Sequence, residues 1–308
     1  MTLYIMPGEN VSNSALPVKN LVAISIGLPV YNGGSTLRAS LESLLDQTFS
    51  NFEIILSDNC STDQTQAICE EFARKDKRIT YIRQTVNIGA FSNFTFVLGR
   101  AKSEYFMWAA HDDFWKPSFI EKNLSLLRQF PDAVSAISKV LFTDGTISNA
   151  TNSLMGNKRD RLACFIQTPS DNSRFYGIHR TLVVQDASVS QNWNFWAGDW
   201  TLVLELIARG NFLEVEEILM ERTVAPFGRY YQNLHGTFFD KYFPMLRYSK
   251  SVLNVPGTRS LRVVRFLAKQ NLVHHLNMAK MFGWCTARIA SSGFLVVPTR
   301  ILGKMLSD

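Results

Sequence analysis

Short apolar runs alternate with helix-periodic segments through the first half of this chain, and that alternation narrows the fold more than any other feature. Leu21 to Val30 (LVAISIGLPV) reads as a strand buried on both faces, stopped by Pro29 and followed by the turn Tyr31-Asn32-Gly33-Gly34. A helix comes next, with Leu37, Leu41, Leu44 and Leu45 on one stripe. Phe52 to Leu56 is a second strand, closed by Ser57-Asp58-Asn59. Ser61 and Gln64 form a capping box for a helix that runs to Lys75. Ile79 to Arg83 is a third strand, and Asn87-Ile88-Gly89 turns the chain into a helix over Phe91 to Ala101. Tyr105 to Ala110 is a fourth strand, followed by a helix over Ser118 to Phe130 and a strand over Ala133 to Phe142.

This order predicts an α/β fold with a doubly wound, mainly parallel sheet. Ligands of such sheets sit outside the carboxyl ends of the strands. The residues there are Pro29-Val30-Tyr31-Asn32, Ser57-Asp58-Asn59 and His111-Asp112-Asp113, so the polar punctuation falls on one edge. No G-x-G-x-x-G follows the first strand and no G-x-x-x-x-G-K-[ST] occurs, which disfavours a dinucleotide fold and a P-loop. Asp112 and Asp113 repel each other unless a positive group joins them. A divalent cation carrying a diphosphate answers that need, because Mg²⁺ or Mn²⁺ takes one or two carboxylates plus phosphate oxygens. A solvated turn with an Asp cap for the helix near Pro117 answers it as well.

Between Thr143 and Asn172 the pattern loosens into a long irregular stretch, as functional or mobile loops do. Order returns at Phe175 to Arg180. Trp193, Trp196 and Trp200 cluster around Asp199, which opens a helix over Trp200 to Arg209 capped by Gly210. Phe212 to Val224 contains a strand, and after Pro226 the chain turns helical. The three tryptophans offer apolar faces on which sugar rings pack, or they belong to a core.

Of the 308 residues, 46% are hydrophobic and 19% charged, which is the make-up of a soluble globular protein, and no window has the apolar length of a membrane span. Met1 to Asn20 has neither a basic start nor an apolar segment and reads as a poorly ordered leader, not a secretory signal. Cys60, Cys69, Cys164 and Cys285 form no metal or disulfide pattern, which fits a reducing cytoplasm. The net charge of +6 is uneven: from Arg247 onward ten Lys and Arg face Asp308 alone, a local +9 that leaves −3 for the rest. Arg259 to Met281 reads as a helix with Arg262, Arg265 and Lys269 on one stripe. Such a helix either lies on an anionic membrane surface or docks on the domain with its basic face in water. No recognition motif accompanies the charge, so nucleic acid is not an expected partner. The expected organisation is a leader over 1–20, a domain over 21–230 (donor half 21–115, acceptor half 116–230) and a basic helical extension over 231–308.

From Ala23 to Thr223 the chain resembles the family-2 inverting glycosyltransferases with the A-type nucleotide-sugar (GT-A-like) fold. The resemblance rests on ISIGLPVYNGGSTLRASLESLLDQTF, FEIILSDNCSTDQT, NIGAFSNF and EYFMWAAHDDFWKP in that order, then on WAGDWTLVLELIARG and FLEVEEILMER. It implies a UDP- or dTDP-sugar donor and a glycan or lipid-linked glycan acceptor. The implied setting is surface polysaccharide synthesis, in the cytoplasm or at the cytoplasmic membrane face. Pro29 and Tyr31 match the positions that hold base and ribose, and Asp58 the carboxylate that accepts the uracil N3–H; Asn32, Asn59 and Asn87 stand beside them. Asp112 faces ribose or phosphate, and Asp113, with Asp112, holds Mn²⁺ or Mg²⁺. Asp199 matches the general base, with Trp196, Trp200 and Arg180 toward the acceptor, and Arg180 and Arg222 are possible phosphate contacts. His111 falls at a variable position and reads as packing.

Two departures stand out. Gly198 occupies the place of a common Glu before the base, and Arg222-Thr223-Val224-Ala225-Pro226 stands where many relatives carry a His, with only the loop residue His235 nearby in sequence. Two rivals remain at this point: a catalytically silent binding subunit of the same fold, and a sugar nucleotidyltransferase, whose Gly-rich basic loop is absent.

Overall fold

The structure is a computed structural model, and it describes residues 22–167, 171–190, 193–195, 197–224, 245–255, 258 and 261–281. The leader, Trp196, His235 and most of the basic tail lie outside the described residues. The central strand β1 (Ile24–Val30) is buried along its whole length, as a parallel strand covered on both faces must be. It pairs in parallel with β2 (Phe52–Asp58) on one side and β4 (Tyr105–Trp108) on the other; β3 (Ile79–Arg83) extends the sheet beyond β2. Gly27 sits in mid-strand because a Cβ there would lie 2.7 Å from Val97 Cγ2 and 2.8 Å from Phe106 Cζ.

The second half is mixed. The eight-stranded order is β3-β2-β1-β4-β7-β6-β8-β5, with β5 (Phe114–Trp115), β6 (Ala133–Phe142), β7 (Ile178–Arg180) and β8 (Asn211–Arg222). β7 runs antiparallel to both β4 and β6, which restores β6 and β8 to the direction of β1. The carboxyl ends of β1, β2, β4, β6 and β8 therefore share one edge. β5 returns antiparallel along β8, setting Phe114 opposite Glu221. The sheet is mainly parallel, as expected, but the short strands β5 and β7 are not legible as a period-two pattern.

One face carries α1 (Leu37–Leu45), α2 (Thr65–Lys75) and α4 (Phe119–Gln129), whose Leu37, Leu41, Leu44, Ile68, Phe119 and Leu124 share a core with β1 and β2. The other face carries α3 (Ala90–Arg100), α5 (Lys158–Gln167), α6 (Thr181–Ser190), α7 (Gly198–Arg209), α8 (Leu246–Asn254) and α9 (Leu261–Met281). α5 corrects the expectation of an irregular stretch over 143–172: Leu162 and Ile166 are buried in that second core. α6 carries weak amphipathic patterning, with Leu182 and Val189 exposed, which is why no periodicity announces it. The start of α2 differs from a Ser61/Gln64 capping box. Asp63 instead accepts the Thr65 N–H at 3.0 Å and the Gly34 N–H at 2.9 Å, while Ser61 Oγ accepts from the Asn32 N–H. Gly210 follows α7 in extended backbone, not as a left-handed cap; its small size is needed because a Cβ would lie 2.3 Å from Val134 Cγ1. α9 docks through Val263 and Leu267, while Leu272, Val273 and Leu276 are exposed.

Candidate active site

The acidic corner is made where β4 ends and β5 begins. The Ala109 N–H bonds to the Gly27 carbonyl at 2.9 Å, carrying the β4 pairing to the edge before the chain turns through His111 and Asp112. His111 packs there: its Nδ1 lies 2.9 Å from Thr36 Oγ1, and its ring closes over Gly33. Because β5 pairs with the end of β8, Asp113 meets residues far along the chain. The Thr223 N–H donates to Asp113 Oδ1 at 3.2 Å, and Arg222 Nε stands 3.4 Å from Oδ2. The Thr223 hydroxyl donates to the Asp112 carbonyl at 2.7 Å. Asp113 is buried, and burial pushes its carboxyl up to about 6; Arg222 and the Thr223 N–H oppose the rise and Asp112 adds to it.

The antiparallel course of β7 brings the segment before it back to the same edge. There a 3₁₀ turn, Ser173–Tyr176, lies against Arg222, whose guanidinium sits 4.4 Å over the Tyr176 ring and donates through Nη1 to Ser173 Oγ at 3.2 Å. Next to Ser173, Asn172 Nδ2 donates to Asp199 Oδ2 at 2.9 Å. Asp199 lies in the first turn of α7, entered through Ala197 at φ +65°. Dense surroundings raise the Asp199 carboxyl above the ordinary range although the residue is only half-buried; the Asn172 amide, the Trp200 N–H and Arg222 hold the rise down. Asp113 and Asp199 both feel the charge of Arg222, and both carry enhanced basicity.

The place before Asp199 has no room for a side chain. A Cβ on Gly198 would lie 1.6 Å from the Trp193 carbonyl oxygen, and Trp193 is itself buried edge-on against Phe91 at 4.6 Å. Packing therefore accounts for the missing Glu. Trp193 belongs to the core, Trp200 is half-buried and meets Tyr248 of α8 edge-on at 5.7 Å, and Trp196 lies outside the described residues. Arg180 is also displaced from its expected role. It stands opposite Tyr105 at the far end of β4 and donates to the carbonyls of Ala133 and Leu127 at 2.8 and 2.9 Å. It braces β7 against α4 and β6, away from the aspartates.

On the other side of β1, Tyr31 is exposed at the strand end, beyond the buried Pro29. Asn32, at φ +51°, clasps the next loop by accepting the Thr62 N–H at 2.9 Å. Asn59 Nδ2 donates to Asn87 Oδ1 at 2.8 Å and so ties the loop after β2 to that after β3. Asp58 is fully buried, and both of its oxygens are engaged. Oδ1 accepts from the Ser61 N–H at 2.8 Å, and Oδ2 meets the Tyr81 hydroxyl at 3.2 Å and Arg83 at 3.3 Å. A base that reaches Asp58 has to share these partners.

Among the described residues, no three His, Cys, Asp or Glu side chains gather as a metal site. Asp112 and Asp113 place two carboxylates at one corner, the number a divalent cation takes when its remaining ligands come from a diphosphate and water. They do not make a self-sufficient cage.

A family model for glycosyl transferase family 2 matches residues 25–185, more than half of the chain. The chain belongs to glycosyl transferase family 2. An uncharacterized glycosyltransferase of Rickettsia typhi is 36% identical over 106 residues, 34% of this chain and 32% of its own. Glycosyltransferase GlyG of Streptococcus pneumoniae is 29% identical over 177 residues, 58% of this chain and 51% of its own. The putative teichuronic acid biosynthesis glycosyltransferase TuaG of Bacillus subtilis is 32% identical over 124 residues, 40% of this chain and 49% of its own. The match thus spans a third to a half of these curated relatives. Among solved structures, S. aureus TarS 1–349 in complex with UDP-GlcNAc aligns with a TM-score of 0.64 at 18% identity, over 87% of this chain and 74% of that one. This family-2 chain therefore has the A-type nucleotide-sugar fold, with its C-terminal helices α8 and α9 packed on the second core. Asn172, Ser173, Tyr176 and Thr223 of the site carry no motif in the sequence; only the return of β7 and the β5–β8 pairing reveal them.

Proposed function

We propose that this family-2 protein is an inverting glycosyltransferase. It moves a sugar from a UDP- or dTDP-linked donor to a hydroxyl of a glycan or lipid-linked glycan in surface polysaccharide assembly. One observation carries the reading: Arg222 lies over the Tyr176 ring and reaches Asp113, and the charges of Asp112 and Asp199 bear on the same tyrosine at the carboxyl edge of the sheet, where such folds bind nucleotides. The UDP-GlcNAc held by the TarS structure and the polysaccharide role in the name of the Bacillus relative support the donor class and the setting.

Asp199 takes the proton of the acceptor hydroxyl as that oxygen bonds to the anomeric carbon, and its raised basicity suits the task. The bond from the anomeric carbon to the diphosphate breaks on the opposite face, and the electron pair leaves with the nucleoside diphosphate. Asn172 orients the Asp199 carboxylate, while Tyr31 offers a stacking face to the base. Mn²⁺ or Mg²⁺ held by Asp113 and Asp112 would supply charge neutralisation to the departing diphosphate; a mannosyltransferase of Pyrobaculum calidifontis with a similar fold (TM-score 0.57, 12% identity) is in complex with GDP-Man and Mn²⁺.

Calorimetric titration of UDP, dTDP and GDP with and without Mn²⁺ tests the donor half. UDP or dTDP binding that strengthens with Mn²⁺, and loses that gain in Asp113→Ala, is the expected result; no binding of either with Mn²⁺ present refutes it. Donor hydrolysis that vanishes in Asp199→Asn separates an enzyme from a silent binding subunit.

The exposed Leu272, Val273 and Leu276 of α9, with Lys269 nearby and a tail of net +9, suit an anionic membrane surface at the cytoplasmic face. Among the described residues no helix is long and apolar enough to cross a membrane. Co-sedimentation with phosphatidylglycerol vesicles but not with phosphatidylcholine vesicles is expected, and equal recovery with both refutes it.

A further inference from the structure

The proposed cation site already contains a cation of the protein's own. Arg222 leaves β8 at the carboxyl edge with its side chain only 14% exposed. The guanidinium is stacked over Tyr176 at 4.4 Å and stands 5.8 Å from the Phe142 ring, and Nη1 donates to Ser173 at 3.2 Å. Its approach to Asp113, 3.4 Å, is long for a hydrogen bond and is chiefly a charge contact. Asp113 keeps a second partner, the Thr223 N–H on Oδ1, so the carboxylate stays oriented when Arg222 lets go. The aromatic and hydroxyl cradle likewise holds the guanidinium stem in place. The Asp113 contact can therefore be exchanged without dismantling either side.

We infer that Arg222 is a resident counter-ion that a divalent cation must displace from Asp113, so that cation binding depends on nucleotide binding. This rests on the reading of Asp113 as a cation ligand. A divalent cation arriving alone competes with Arg222 for Oδ2 and places two cations, three positive charges in all, around one buried carboxylate. A diphosphate changes the balance: its oxygens accept the guanidinium fork, which is shaped for paired phosphate contacts, and they neutralise the crowding. By linkage the cation then strengthens nucleotide binding by the same factor. The arrangement also accounts for an Arg where many relatives carry a His: the position supplies charge in place of a ligand atom.

The test is Mn²⁺ binding to the whole chain, read from the free-Mn²⁺ electron paramagnetic resonance signal without nucleotide and with saturating UDP. Wild type should bind Mn²⁺ weakly alone and at least roughly tenfold more tightly with UDP. Arg222→Gln should bind Mn²⁺ alone roughly tenfold more tightly than wild type and lose most of the UDP enhancement. Arg222→Lys, which keeps the charge without the fork, should leave Mn²⁺ alone as weak as in wild type, and it decides the matter if the Gln variant fails to fold. Unchanged or weaker Mn²⁺ binding in folded Arg222→Gln, or tightened binding in Arg222→Lys, overturns the inference. Adding Asp113→Asn to Arg222→Gln should abolish the gained Mn²⁺ affinity. If the gain survives that change, the cation-site reading itself fails and this inference with it.

Discussion

Replacing Gly198 with Ala adds one methyl group, and the structure makes its consequence severe. The new Cβ would lie 1.6 Å from the Trp193 oxygen and 2.6 Å from its carbonyl carbon, where 3.0 Å is the practical limit, so a backbone shift of about 1.4 Å is required. The neighbour is main chain, not the end of a flexible side chain, so nothing nearby gives way cheaply. Trp193 is wedged between Phe91 at 4.6 Å and, at 6.2 Å each, Trp108 and Phe175. Overpacking of this kind costs up to about 3 kcal/mol. At a few degrees per kcal/mol for a domain of this size, that corresponds to a fall in Tm of roughly 6–12 °C. The shift also reaches Asp199, the next residue and the proposed general base, and a misplacement on the order of 1 Å at a reacting group lowers kcat by about 100-fold. Thermal unfolding followed by circular dichroism, and sugar transfer at saturating donor, measure the two effects. Gly198→Glu, which restores the acid common in the family, should be worse than Ala, not better. A Gly198→Ala protein within about 2 °C of wild type (~0.5 kcal/mol), with kcat unchanged, refutes the packing account of this departure.

His179 supplies a stability prediction. It is fully buried, donates from Nε2 to the Phe175 carbonyl at 3.1 Å, and burial pushes its pKa down to about 4. The unfolded chain binds this proton near 6.5 and the folded chain does not, so the contribution is complete above 6.5 and is lost as pH falls toward 4. Its size is about 3 kcal/mol. Urea unfolding between pH 7 and pH 5 should show a shallower loss for His179→Leu than for wild type; parallel curves refute the assignment. Asn172→Ala removes the amide that stabilises the ionised Asp199. The acid limb of the transfer profile should move to higher pH and kcat should fall about tenfold, with donor KM little changed, whereas an unmoved limb shows that Asn172 only packs.

Much of the first half of the chain is legible in the order of amino acids alone. Buried strands, the leucine stripe of α1 and the aspartates after β4 are written in adjacent residues, and periodicity reports them directly. Legibility falls where a residue's role depends on a partner far along the chain. Arg180 has the composition of a phosphate ligand, yet its place opposite Tyr105 sends it to backbone carbonyls. Asp58 ends β2, and its partners Tyr81 and Arg83 come from the next strand and already occupy it. The tryptophans around Asp199 read equally as platform or core until Phe91 and Tyr248 are in place against them.

Residue order dictates the alternation of strand and helix, and with it the sheet edge that gathers the polar residues, because those signals are carried within a turn or two of backbone. The tertiary structure alone decided that β7 runs backwards and that β5 doubles back along β8. Those two reversals join Asp113 to Arg222 across 109 residues and bring Asn172 to Asp199. Strand direction and order are settled by burying both faces of the whole sheet at once, a global condition that no local pattern of residues encodes.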